Sequence, residues 1–115
     1  MLPKKHRISQ KKDFSKIFRR AKFFPGRFFL LRSVDNNLEL SRFAIIIPKT
    51  FSKKAVTRNK IRRQIYSIIQ KEMLKIKPGF DNLFTIKKQA DISNFADCGK
   101  DILILLKKAG IVQND

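Results

Sequence analysis

Apolar residues recur along the chain in two helical stretches, several short strand-like runs and a third helical stretch. Phe14, Ile17, Phe18 and Ala21 fall at i, i+3, i+4 and i+7, which predicts a helix of about twelve residues. Ser9 is its expected N-cap, and Asp13 sits near its positive end. Phe23-Phe24-Pro25-Gly26 reads as the break that ends it. Arg27 to Val34 is a strand candidate, apolar on both faces apart from Arg27, Arg32 and Ser33. Asp35-Asn36-Asn37 reads as a turn that joins it, as a hairpin, to a second strand over Leu38–Ile47, where Phe43, Ile45 and Ile47 share one face and Arg42 interrupts. After Pro48 and a loop over Lys49–Lys54, with Ser52 or Thr57 as possible caps, a long helix carries Ile61, Ile65, Ile68 and Ile69 on one stripe. It is expected to reach about Ile76, ahead of Pro78-Gly79. Phe80 to Lys87 alternates as a further strand, Lys88 to Ile92 as a loop. Ser93 caps a last helix bearing Phe95, Cys98, Ile102, Leu105, Leu106 and Ala109, which Gly110 stops. Strands apolar on both faces ask for cover on each side. With so few helices available, one sheet face is free for a ligand groove.

Composition narrows the class. A chain of 115 residues that is 43% hydrophobic, with eleven Phe, makes one domain with a core and not a disordered basic tail. Its formal net charge of +18 points to polyanions, meaning nucleic acid or an anionic membrane surface. The charge is uneven: residues 1–34 hold eleven Lys/Arg against Asp13 alone, and Leu40–Lys71 contains no acid. No apolar run approaches the ~18 residues of a membrane span, and the basic N-terminus has no apolar segment behind it to make a secretory signal. The single cysteine, Cys98, excludes an intrachain disulfide, fits the apolar stripe of the last helix as core filler, and suits a cytoplasmic protein. Residues 1–8 read as a mobile basic arm, in which Lys4, Lys5 and Arg7, with Lys11 and Lys12 beyond it, are candidate phosphate contacts.

The densest chemistry lies at residues 53–65, where six of thirteen are Lys or Arg and none is acidic. On a helix Arg58 and Arg62 are neighbours, as are Asn59 and Arg63, while Ile61 and Ile65 occupy another stripe. Like charges stacked i,i+4 repel by a few tenths of a kcal/mol per pair, so such a helix asks for an anionic partner. Phe14 and Phe18 admit two roles, core packing or the edge of a groove where unpaired bases stack.

Catalytic apparatus is not evident. No pair of cysteines or histidines has metal-ligand spacing, and four glycines make no phosphate loop. The only histidine, His6, would sit on the arm with nothing to orient it as a base. Asp13 stands alone beside the basic surface, so a two-carboxylate metal nuclease site has no second member.

The run Arg58-Asn59-Lys60-Ile61-Arg62-Arg63, preceded by Lys53-Lys54-Ala55-Val56, resembles the Arg-Asn-Arg-type motif of the protein subunit of bacterial ribonuclease P. Asp13-Phe14-Ser15-Lys16-Ile17-Phe18 and the order of elements over residues 7–110 are similar to that family too. The resemblance implies an α+β fold, a two-layer α/β sandwich in the order αβββαβα, of a kind shared with a ribosomal protein domain. Periodicity alone gives one strand fewer, and the family order implies that Leu38–Ile47 is split or paired as two. It further implies a subunit that binds a catalytic RNA and the 5′ leader of precursor tRNA, with cleavage carried out by the RNA. By position, Lys53, Lys54, Arg58, Asn59, Lys60, Arg62 and Arg63 would meet the catalytic RNA, and Phe14, Phe18, Phe29, Leu31 and Arg32 would form the leader groove. Arg32 stands where that family is expected to place an aromatic. No cofactor is expected on the protein itself; Mg²⁺ would enter through the RNA. The alternatives are a small structural RNA-binding protein of ribosomal type, an intrinsic nuclease and, more weakly, a membrane-surface protein.

Overall fold

A computed structural model describes residues 2–87, 90 and 95–112. Helix α1 (Lys11–Arg20) leads into β1 (Lys22–Pro25), β2 (Phe29–Asp35) and β3 (Arg42–Ile46). Helix α2 (Ala55–Lys71), β4 (Phe80–Ile86) and α3 (Phe95–Lys108) complete the order αβββαβα. The four strands form one mixed sheet in the order β1-β2-β4-β3, antiparallel except for the β3–β4 pair.

Two sequence expectations change here. The third strand of the N-terminal half is β1, made by the Phe23–Pro25 stretch read as a helix break, and not a split of Leu38–Ile47. Pro25 is tolerated because β1 is an edge strand, where a missing amide leaves no interior ladder bond unmade. The tight hairpin is therefore β1–β2, while β2 and β3 are separated by β4. Asn36 and Asn37 still turn the chain, Asn37 with φ of 58°, but they send it across the sheet and not back along β2.

The register sorts each strand into two faces. Phe24, Leu31, Phe84 and Ile45 lie in one row across the sheet, and Phe23, Arg32, Leu83 and Ala44 in the adjacent row on the opposite face. The first face is covered by α2 and α3. Phe29, Leu31, Phe43 and Phe84 are fully buried there with Ile65 and Ile69 of α2 and Ile102, Leu105 and Leu106 of α3. Each such side chain contributes ~1.5–3 kcal/mol through removal from water. Cys98 is buried among them as expected. Asp101, buried on α3, accepts the backbone amides of Arg27, Phe28 and Phe29 at 2.9–3.1 Å and so clamps the β1–β2 hairpin to this layer.

The second face is covered only in part, by α1, whose Ile17 packs with Ile8, Ala44 and Leu83. An ion-pair network fixes this helix. Arg42 grips buried Asp81 with two bonds of 2.7 and 2.8 Å and reaches Asp13 of α1 at 3.3 Å. Hydrogen bonding to Asp81 raises the Arg42 pKa further above its already high ordinary value, so this guanidinium is permanently charged and committed.

The helix ends also differ from expectation. The N-caps are Gln10 for α1 and Lys54 for α2, neither making a side-chain cap bond, in place of Ser9 and Ser52 or Thr57. Helix α2 stops at Lys71 and a 3-10 turn (Met73–Lys75) continues the path expected to be helical to Ile76. Ser93 and most of the Lys88–Ile92 loop lie outside the described residues.

Candidate nucleic-acid interface

Helix α2 presents its two faces as its sequence demands. Ile61, Ile65, Ile68 and Ile69 are buried, as is Tyr66, while Asn59, Lys60, Arg63 and Gln64 are exposed. Lys60, Arg63, Gln64 and Ser67 line one hollow on the outer side of the helix. Lys53 and Lys54 are exposed just before its first turn. The first turn contains no acid, so the helix N-terminus, already positive through its free amides, is surrounded by further positive charge.

The cations of the block are not equivalent. Arg58 is half-buried and turns back, donating from Nη1 to the Ser52 carbonyl at 2.8 Å, so it braces the loop that leads into the helix. Arg62 donates from Nη1 to Asn59 Oδ1 at 2.8 Å. The helical neighbours that meet are thus Asn59 and Arg62, three apart. Asn59 serves as an acceptor that aims a guanidinium.

The open part of the second sheet face forms the other half of the site. Phe18 on α1 and Phe23 on β1 are 57% and 50% exposed, large values for rings of this size. Both face Arg32, whose guanidinium carbon lies 5.2 Å from each ring centroid, within cation–π range. Leu30 and Thr85, cross-strand partners, are half-buried in the next row of the same face. Phe14 is half-buried against the Ile8–Ile17 cluster, closer to the core role than to the groove role.

Phe29 and Leu31 correct the expected groove. Both are fully buried on the covered face, so neither can touch a bound strand. The period of two along β2 places Leu30 and Arg32 on the open face instead. Phe23, absent from the expected groove, joins it because residues 22–25 are a strand in register with β2, with Phe23 opposite Arg32. The signal that could have found it is the run of apolar residues on either side of a single Pro-Gly turn.

Residues 2–8, expected as a mobile arm, are packed. Leu2 and Ile8 are buried, Ile8 donates its amide to the Phe43 carbonyl at 2.9 Å, and Arg7 bridges Phe43 in parallel at the β3 edge. His6 Nδ1 lies 2.8 Å from the Ser41 carbonyl oxygen, so the imidazole is oriented, and by the main chain. Lys4 and Lys5 remain exposed on a 3-10 turn (Lys4–His6), and Lys11 and Lys12 are exposed on α1. No described helix is long and apolar enough to cross a membrane.

The family model for Ribonuclease P matches residues 2–110. Ribonuclease P protein components from Pseudanabaena and Syntrophomonas wolfei are 29% and 32% identical, over 100% and 96% of this chain and 100% and 92% of their own lengths. The solved RNase P protein of Thermotoga maritima, in complex with 1-(4-fluorophenyl)-2-thiourea, superposes with a TM-score of 0.79 at 29% identity, covering 89% of this chain and 98% of that one. That of Staphylococcus aureus superposes with a TM-score of 0.84 over 94% and 98%, at 23% identity, a likeness of fold. A basic helix laid on an α+β sandwich, and a match running over nearly the whole sequence, put this chain in the ribonuclease P protein component family, partner of the ribonuclease P RNA in a ribonucleoprotein endoribonuclease.

Proposed function

We propose that the chain holds the catalytic RNA along α2 and the single-stranded 5′ leader of precursor tRNA over the open face between Phe18 and Phe23. The observation that carries this reading is the separation of charge. Two acids on the α1 side of the sheet, Asp13 and Asp81, are both engaged by Arg42, while Lys53, Lys54, Lys60 and Arg63 project from a stretch without acids. On this reading the RNA breaks the phosphodiester bond, with Mg²⁺ held there, and the protein acts in the cytoplasm by neutralising phosphates that would otherwise repel one another. Each phosphate neutralised releases counterions, so the protein lowers the Mg²⁺ needed to bring the two RNAs together. A base lying on an exposed ring is held by ~1–3 kcal/mol whatever its identity, which suits leaders of varied sequence.

The test is cleavage of a precursor tRNA by a bacterial ribonuclease P RNA at low Mg²⁺, with and without the protein. Mature 5′ ends are expected only when both are present. Cleavage by the protein alone would require an active site in the protein. No effect, even with RNA from the same source, would make ribosomal RNA the leading partner.

A further inference from the structure

At the β3 edge of the sheet, the N-terminal segment and α2 enclose a crevice of about 230 Å³ lined by Lys4, Arg7, Ile8, Ser9, Arg62 and Tyr66. One wall is preset: the His6 ring is held at the Ser41 carbonyl, the Ile8 amide is bonded to the Phe43 carbonyl, and Ile8 is buried. The other wall is α2, fixed by its isoleucine stripe. Three cationic side chains and a serine hydroxyl therefore converge on one small space, and no Asp or Glu lines it.

The two guanidinium groups come from segments more than fifty positions apart, yet both act on one phenol. Burial raises the Tyr66 pKa, and the charges of Arg62 and Arg7 each pull it down. Arg62 uses Nη1 on Asn59, and a guanidinium has five N–H donors, so it retains donors for a second acceptor. Both guanidinium groups line the same crevice, so an anion seated there is attracted by each of them.

We propose that this crevice seats a single backbone phosphate of the catalytic RNA, clamped between Arg7 of the N-terminal segment and Arg62 of α2. The inference rests on the ribonuclease P reading and extends it, because it makes the N-terminal segment a fixed part of the RNA interface. Phosphate fits better than a carboxylate: it offers more acceptor oxygens to two planar forks, a lysine and a hydroxyl, and the chain's net charge selects a polyanion.

Two guanidinium groups on one phosphate leave a distinctive salt dependence. The affinity of the protein for the ribonuclease P RNA is measured against salt for wild type, Arg7→Gln, Arg62→Gln and the double variant. Each single variant is expected to bind more weakly with a slope near that of wild type, because the remaining guanidinium still neutralises the phosphate. The double variant is expected to lose about 0.7–0.9 from the slope, one phosphate's worth. Slope losses of that size in each single variant, doubled in the double variant, would overturn the shared clamp. Arg7→Lys and Arg62→Lys, which keep the charge, should keep the wild-type slope even where Gln disturbs folding. Tyr66 gives a second readout, since the chain has one tyrosine and no tryptophan. With 3-fluorotyrosine incorporated, the single fluorine resonance is expected to shift when the RNA binds wild type and to stay in place with the double variant. A resonance unmoved in wild type by bound RNA also overturns the proposal. Wild-type protein that does not bind the RNA at all refutes instead the functional reading beneath it.

Discussion

The two faces of the sheet use the same strand for opposite ends. On β2, Phe29 and Leu31 point into the covered face and are fully buried, while Leu30 and Arg32, one position away, lie on the face that α1 leaves partly open. The covered face is closed by two helices and an Asp101 clamp, and its interior is apolar apart from the buried Ser33–Asn82 hydrogen bond. The open face holds two exposed rings around a guanidinium and an ion-pair network that pins α1. One face carries the stability and the other is left free to bind, and the divide between them is a single residue step.

That divide can be broken from the core side first. Leu31→Ala removes a fully buried side chain where little collapse is possible, so a loss of about 2–5 kcal/mol is expected, or roughly 10–20 °C in melting temperature for a domain of this size. Protein that remains folded should bind the leader of precursor tRNA as before, since Leu31 does not reach the open face. A loss of leader affinity at full helicity, with little change in melting temperature, would return Leu31 to the groove.

How much of this was legible follows from the same strand. The helices were readable because a 3.6-residue period marks a stripe, and Ile61, Ile65, Ile68 and Ile69 are buried as their spacing demands. The basic block was readable because charge needs no structure to be counted. The face of each β2 residue was not, since a strand apolar on both sides has no alternation from which to choose the core. Pairing was hidden for a different reason: β4 inserts between β2 and β3, a long-range event that no local turn signal at Asn36 records. The packing of the N-terminal segment is not legible because Leu2 and Ile8 are isolated apolar residues among cations, and only the fold supplies the main core for Leu2 and the cluster beneath α1 for Ile8.

Phe18→Ala tests the other face with a smaller effect. The ring is 57% exposed, so the melting temperature should fall by only a few degrees, about 1 kcal/mol or less. Affinity for precursor tRNA with a leader should drop by ~1–3 kcal/mol relative to the same tRNA without one, the value of one base–aromatic stack. Equal losses for both RNAs, together with a large fall in melting temperature, would make Phe18 part of the core after all.

Arg32 sharpens the comparison most finely, because its neighbours on β2 are core and its own contacts are two rings. A guanidinium on exposed rings contributes about 0.5–1 kcal/mol per contact, so Arg32→Gln should barely move the melting temperature. Its effect lies in the kind of binding it removes. A charge in the groove adds a phosphate contact, whereas a third ring would add a stack. Arg32→Gln should therefore lower the salt slope for leader binding by roughly 0.7, the single-strand value for one phosphate. Arg32→Phe should lower the slope equally yet recover affinity at high salt, where stacking survives and charge is screened. If the two variants show the wild-type slope, the guanidinium serves only to hold Phe18 and Phe23 apart, and the open face reads the leader through its rings alone.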